Sequence, residues 1–185
     1  MRRITGDRDR AWLEQLFDLH SRRLRAFATR RVGEDAADDV VSVVFTTAWR
    51  RRDAVPEPAL AWLFQTARHA VMHHLRNTTR RTALHASVRN QTLPDAAPSA
   101  EDEARVLVEA VLGELPATEA EILRLTVWDE LTPSEIAVVL EITPGAARTR
   151  LMRARRRAQE LYLTQLRDTV PDPVPTPAEQ CSPRH

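Results

Sequence analysis

Apolar side chains recur every three or four positions along most of the chain, and no convincing stretch alternates apolar with polar residues, so the sequence predicts an all-α fold. A first amphipathic helix is predicted from about Ala11 to Val32, with Trp12, Leu16, Leu19, Leu24, Phe27 and Ala28 inward, and Gly33 ends it. Asp35 is placed to cap a second helix, in which Val40, Val44 and Ala48 follow at four-residue steps beside Val41, Phe45 and Trp49. The acids Glu34, Asp35, Asp38 and Asp39 crowd its first turns, where the helix dipole favours negative charge. Pro56 and Pro58 forbid its continuation and leave an ordered, semi-rigid loop from Arg50 to Pro58.

A third helix from Ala59 to about Arg81 carries Leu60, Leu63, Phe64, Ala67, Val71 and Leu75 on one face, and Arg68, His69, Met72, His73 and Arg76 on the other. Between His85 and Asp102 the period vanishes among Pro94, Pro98, alanines and acids, which reads as a linker. Further on, Thr118 with Glu121 and Thr132 with Glu135 have capping-box spacing, and Pro133 takes a first helical position. A short helix, a three-residue break from Glu141 to Thr143 and a longer basic helix opened by Pro144 have the spacing of a helix-turn-helix. Such turns often hold Gly at a position of positive φ; Glu141 would be strained there, so a differently shaped turn is expected.

In the last helix Ala147, Leu151, Ala154, Ala158 and Leu161 make one inward stripe. The opposite face then presents Arg148, Thr149, Met152 and Arg153 near the helix start, where a recognition helix touches base edges. Arg150, Arg155, Arg156 and Arg157 flank that surface at positions suited to phosphates. From Arg167 on, five prolines mark a tail expected to be disordered. The predicted organisation is a helical domain over 1–84, a linker over 85–103, a second helical domain over 104–166 and a tail over 167–185.

Charge sharpens this picture. The net charge of +1 over 185 residues conceals +7 in residues 1–90, −10 in 91–141, +6 in 142–167 and −2 in 168–185. Two basic blocks around an acidic one suggest two polyanion-facing surfaces joined by a segment that repels or mimics nucleic acid. Every basic residue is Arg. With 5% aromatic residues the cores must be small and aliphatic.

Cys181 is the single cysteine, which excludes an internal disulfide and any multi-cysteine zinc site; its place in the tail reads as incidental. Four glycines, none in a phosphate-cradling motif, argue against a phosphate-handling enzyme. His69 and His73 lie one helical turn apart and could share a metal, but His74 points elsewhere and no HExxH pattern supplies a third ligand, so the pair reads as surface. Neither enzymatic activity nor a metal or cofactor is expected. No apolar run approaches a membrane span and the start MRRITGDRDR lacks a secretory core, so a soluble protein of the cytoplasm, associated with the nucleoid, is expected without membrane insertion.

The run LTPSEIAVVLEITPGAARTRLMRARRRAQEL resembles region four of bacterial sigma factors, in the short extracytoplasmic-function (ECF) class that keeps only regions two and four. DAADDVVSVVFTTAWRRR followed by PALAWLFQTARHAVMHHLRN resembles region two, in the usual order and distance, and the likeness spans about residues 11–165. It implies a factor that directs promoter-specific transcription initiation, with core RNA polymerase, promoter DNA and an anti-sigma inhibitor as partners. On this resemblance Asp38, Asp39, Ser42, Phe45 and Trp49 dock on the polymerase clamp coiled coil, although Ser42 and Val43 stand where a Gln-Glu pair is common.

The resemblance also assigns Arg51, Arg52, Asp53, Arg68, His69, His73 and Arg76, with charge from Arg80 and Arg81, to the minus-ten element, where a base of the non-template strand is flipped out. His69 replaces a frequent Asn, while Trp62, between Leu60 and Leu63, reads as core. Arg148, Thr149, Arg150, Met152, Arg153 and Arg156 would hold duplex minus-thirty-five DNA, and the acidic linker would thread the channel that later carries RNA. The alternative is a two-domain transcriptional regulator that binds operator DNA through the same helix-turn-helix without core polymerase.

Overall fold

The computed structural model describes residues 8–84 and 100–169, and all regular structure among them is helical. Helix α1 spans Arg10–Val32, α2 Glu34–Arg50, α3 Leu60–Leu84, α4 Ala100–Glu114, α5 Ala117–Val127, α6 Pro133–Val139 and α7 Pro144–Thr169. A single 3-10 turn, Arg52–Ala54, interrupts the α2–α3 connection. The linker interior over 85–99, the tail from 170 on with Cys181, and the side chains of Arg80 and Arg81 lie outside the described residues.

In the first half α1, α2 and α3 pack pairwise on one another. Leu24, Phe27, Val44, Ala48, Leu63, Phe64 and Ala67 are sealed from solvent, and Phe27 meets Phe64 edge to face with centroids 5.3 Å apart. Asp9 caps α1 by accepting from the Trp12 backbone N–H at 3.1 Å. Gly33, at φ 83°, ends α1 and opens α2 at once, a conformation that suits glycine. The expected Asp35 cap is therefore absent: α2 starts one residue before it, with no side-chain cap bond.

In the second half α7 packs on α4, α5 and α6. The inward stripe of α7 is as expected at Ala147, Leu151 and Ala154, which are buried, with Ala158 and Leu161 packed against the core. Thr132 and Glu135 form the predicted capping box, and Thr143 caps α7 by accepting from Ala146 N–H at 3.2 Å. The Thr118–Glu121 box does not form. Helix α5 begins before it with Pro116 at the cap, and the Glu121 carboxylate is drawn instead to Arg31 of the first half at 3.1 Å.

Other expectations also shift. Helix α4 begins inside the predicted linker and buries Val111 and Leu112, while α7 runs to Thr169, past the predicted start of the tail. Leu19 and Leu75, expected inward, are 72% and 40% exposed, because Leu19 borders the cleft beside the α2–α3 connection and Leu75 the cleft between the halves, where no helix packs over them. Four residues rather than three, Leu140–Thr143, separate α6 from α7. Glu141 adopts φ 56°, so the turn keeps the left-handed geometry despite lacking Gly, at a cost of about 1–2 kcal/mol.

The two halves share one continuous apolar cluster, and α3 lies against α6. Truncating the ring at the centre of the first half, Phe64→Ala, is expected to destabilise the chain by about 3–5 kcal/mol in urea unfolding; a loss below 1 kcal/mol would mean that the ring is not a structural centre.

Candidate nucleic-acid interface

Helix α7 supplies the most uniform basic surface. Its buried stripe fixes the roll of the helix, so Arg148, Thr149, Met152, Arg153 and Arg156 share the opposite, exposed face, with Met152 65% exposed at its middle. Arg156 pairs only loosely with Glu160, at 3.7 Å across one turn. Arg157 is drawn back to Glu119 of α5 at 3.2 Å, which leaves it at the flank. Arg150 turns differently from the other five, because it lines the cleft between the two halves. Cations grouped on one face of a helix that follows a tight turn make a surface complementary to duplex phosphates and base edges.

The α2–α3 connection is held from three sides. Val55 is buried beneath it, and the Arg8 guanidinium donates to the Arg52 carbonyl and, at 2.6 Å, to the Val55 carbonyl. Arg52 lies over the Trp49 ring, 5.2 Å from its centroid. Arg51 and Asp53 are exposed on the outer side of the turn. Beside this loop a cleft of about 300 Å³ is lined by Arg8, Trp12, His20, Pro56, Glu57 and Leu60. Burial, and then the neighbouring charge of Arg23, push the His20 imidazole below its ordinary value and keep it neutral. The sequence marks Trp12 only as a core residue and does not mark Arg8 or His20, because nothing in their spacing ties them to a loop more than thirty residues on.

Along α3, His69, His73 and Arg76 are exposed on one side, whereas Arg68 is half-buried and lines the cleft between the two halves. His73 Nδ1 faces the Asn77 amide at 3.3 Å, whereas His69 Nε2 approaches Glu141 of the second half at 3.6 Å. Trp62 packs against the core, as expected.

The α2 residues divide. Asp39, Ser42 and Trp49 are exposed on one face, and Asp38 is exposed but held by Arg25 at 2.8 Å, which raises the Arg25 pKa through their hydrogen bond. Phe45 does not belong to that surface: it is 7% exposed and covered by Phe17, ring centroids 4.8 Å apart. Val43, noted in the sequence only as a departure, is 51% exposed among the polar residues of this face.

Two family profiles match the chain in succession, Sigma-70 region 2 over residues 16–81 and Sigma-70 region 4 over residues 105–157. The chain belongs to the sigma-70 family, in its ECF class. The ECF RNA polymerase sigma factor SigL of Mycobacterium tuberculosis (strain Erdman) is 29% identical over 176 residues, covering 90% of this chain and 98% of SigL. Among solved structures, the sigma factor RpoE in complex with the anti-sigma factor NepR from Bartonella quintana is 25% identical, with TM-score 0.60, and the match covers 80% of this chain and 94% of that one. CnrH, solved with the cytosolic domain of CnrY, shares the fold at 24% identity and TM-score 0.59, over 84% and 90% of the two chains. No described helix of this sigma factor is long and apolar enough to cross a membrane, and no group of three potential metal ligands occurs among the described residues.

Arg8→Ala is expected to speed amide hydrogen exchange in residues 51–58 while leaving the α1 and α3 interiors protected. Unchanged exchange in the loop would show that Val55 and the Arg52–Trp49 contact fix it without Arg8.

Proposed function

We propose that the chain confers promoter selectivity on core RNA polymerase by gripping two elements in different states, the minus-thirty-five element as duplex and the minus-ten element as a separated strand. The observation that carries this reading is the pair of arginine-bearing faces, on α7 and along the α2–α3 segment, presented by one chain whose two halves match regions 2 and 4.

Arg148 and Arg153 are suited to bidentate contacts with guanine edges, and Thr149 and Met152 to the methyl-bearing floor of the major groove. Arg150 and Arg156 would reach phosphates. In the other half, Arg51, Arg52, Arg68 and Arg76 would track a single-strand backbone, Asp53, His69 and His73 would face base edges, and the cleft beside the pinned loop would receive a flipped base. A loop fixed in advance reduces the ordering cost of binding such a strand.

Asp38, Asp39, Ser42 and Trp49, joined by Val43, would dock on the clamp coiled coil. Phe45 would act from beneath, by holding Phe17 in place. Bond making stays with the polymerase, so the chain acts in the cytoplasm, at the nucleoid, as a recognition subunit and not as an enzyme. An anti-sigma inhibitor is a further partner, by analogy with the relatives solved in such complexes.

In vitro transcription with core polymerase over a randomised promoter pool tests the proposal. Enrichment of one two-part motif is expected; no transcripts, together with tight operator binding by the chain alone, would make it a conventional regulator. With the polymerase-bound chain, Arg148→Ala or Arg153→Ala should weaken promoter binding by about 1–3 kcal/mol and relax preference in the upstream element. Equal weakening on every sequence would assign that side chain to phosphate. His69→Asn should change preference in the melted element and leave core binding intact; loss of core binding would show that the minus-ten surface is misplaced.

A further inference from the structure

Between the two halves lies a cleft of about 990 Å³, at the upper end of the size range of small-molecule sites. Five guanidiniums border it: Arg30 and Arg31 from the end of α1, Arg68 from α3, Arg124 from α5 and Arg150 from α7. Three of them are matched by carboxylates. Arg31 pairs with Glu121 at 3.1 Å, Arg30 with the buried Asp129, and Arg124 reaches Glu109 at 3.9 Å. Arg68 and Arg150, one from each half, have no carboxylate partner among the described residues. The cleft therefore holds uncompensated positive charge, and its protein walls focus the field of those charges where open water would dissipate it.

The rest of the lining is apolar. Met72 and Leu75 of α3 are exposed along it, and the half-buried Trp128 borders it at the end of α5, with Arg30 5.8 Å from the centroid of the indole. This combination suits a ligand with one flat, apolar portion and one anionic portion. A ring placed against an indole and a thioether gains aromatic and sulfur–aromatic contact, and a guanidinium fork takes phosphate oxygens in pairs. A single carboxylate presents two oxygens in one plane and matches one fork. A chain of phosphates presents oxygens on several sides and can meet two arginines that come from different walls. No glycine loop is required for this, because side chains rather than backbone N–H groups would hold the phosphates.

We infer that the cleft between the halves is a binding site for a nucleoside polyphosphate, with its phosphates between Arg68 and Arg150 and its base against Trp128 and Met72. Both arginines are also proposed phosphate contacts for DNA, so binding is measured on the free chain, where its outcome does not depend on promoter recognition.

Equilibrium dialysis of the chain against labelled guanosine diphosphate (GDP), and in parallel adenosine diphosphate (ADP), in magnesium-free buffer tests the site. One equivalent of at least one of them should bind, and Arg68→Ala and Arg150→Ala should each weaken that binding about tenfold or more, as expected for loss of a hydrogen bond between charged groups. Arg150 is exposed, so its replacement tests the site even if Arg68→Ala disturbs packing. Arg22→Ala, which removes an exposed cation outside the cleft, should leave binding unchanged, and Trp128→Leu should weaken the nucleotide without weakening inorganic pyrophosphate. No binding of either nucleotide up to about 1 mM would overturn the inference. So would several weak equivalents lost equally in Arg22→Ala, the mark of diffuse attraction to a basic surface. Pyrophosphate binding as tightly as the nucleotide would reduce the site to inorganic phosphates, and displacement of the nucleotide by an equal concentration of an oligoglutamate peptide would make it a groove for acidic peptide; either result would overturn the nucleotide assignment.

Discussion

The arrangement of the whole molecule depends on one buried carboxylate. Asp129 sits in the α5–α6 turn, almost without solvent, and its oxygens are met by Arg30 and Arg31 from the far end of α1. Burial pushes its carboxyl above the ordinary carboxylate range, and the two guanidiniums, Arg31 and then Arg30, only partly pull it back. The neighbouring Glu121 carboxylate adds to the upward push. Such a junction fixes where two surfaces meet without making the meeting strongly favourable, since parting returns the charges to water.

From this junction the remaining geometry follows. Arg31 lies over the Phe27 ring at 3.7 Å and reaches Glu121, so the charged seam is continuous with the first core. The α5–α6 turn on α1 and the α6–α7 turn on α3 give two separated points of attachment, which together set the orientation of α7. Arg148, Met152 and Arg153 remain in solvent while Arg150 turns into the cleft.

What could be read along the chain was whatever repeats or caps locally. The α7 stripe, the Thr132–Glu135 box, the Gly33 break and the core residues of α3 all follow from period and turn chemistry. What could not be read depends on partners distant in sequence. Glu121 has the spacing of a capping residue and pairs with Arg31 instead; Leu19 has the period of a core residue but lies where no helix covers it; Phe45 has a surface motif's register yet lies under Phe17. Helix α4 stayed hidden because its start falls among the prolines, alanines and acids that read as a linker, although Ser99 and Asp102 have capping-box spacing. Glu141 was recognised as anomalous, but the reason that the anomaly is tolerated lies 76 residues away, at Gln65.

The central claim, that Asp129 and its arginines hold the two halves in one arrangement, is tested most directly by energy transfer between dyes at Ala26 of α1 and Ser134 of α6. Both positions are exposed, and cysteines there, with Cys181 replaced by Ser, would carry the labels. High transfer in the unsubstituted protein, falling in the Asp129→Ala variant, is the predicted result. Low transfer in the unsubstituted protein, or the same transfer in both proteins, would contradict it.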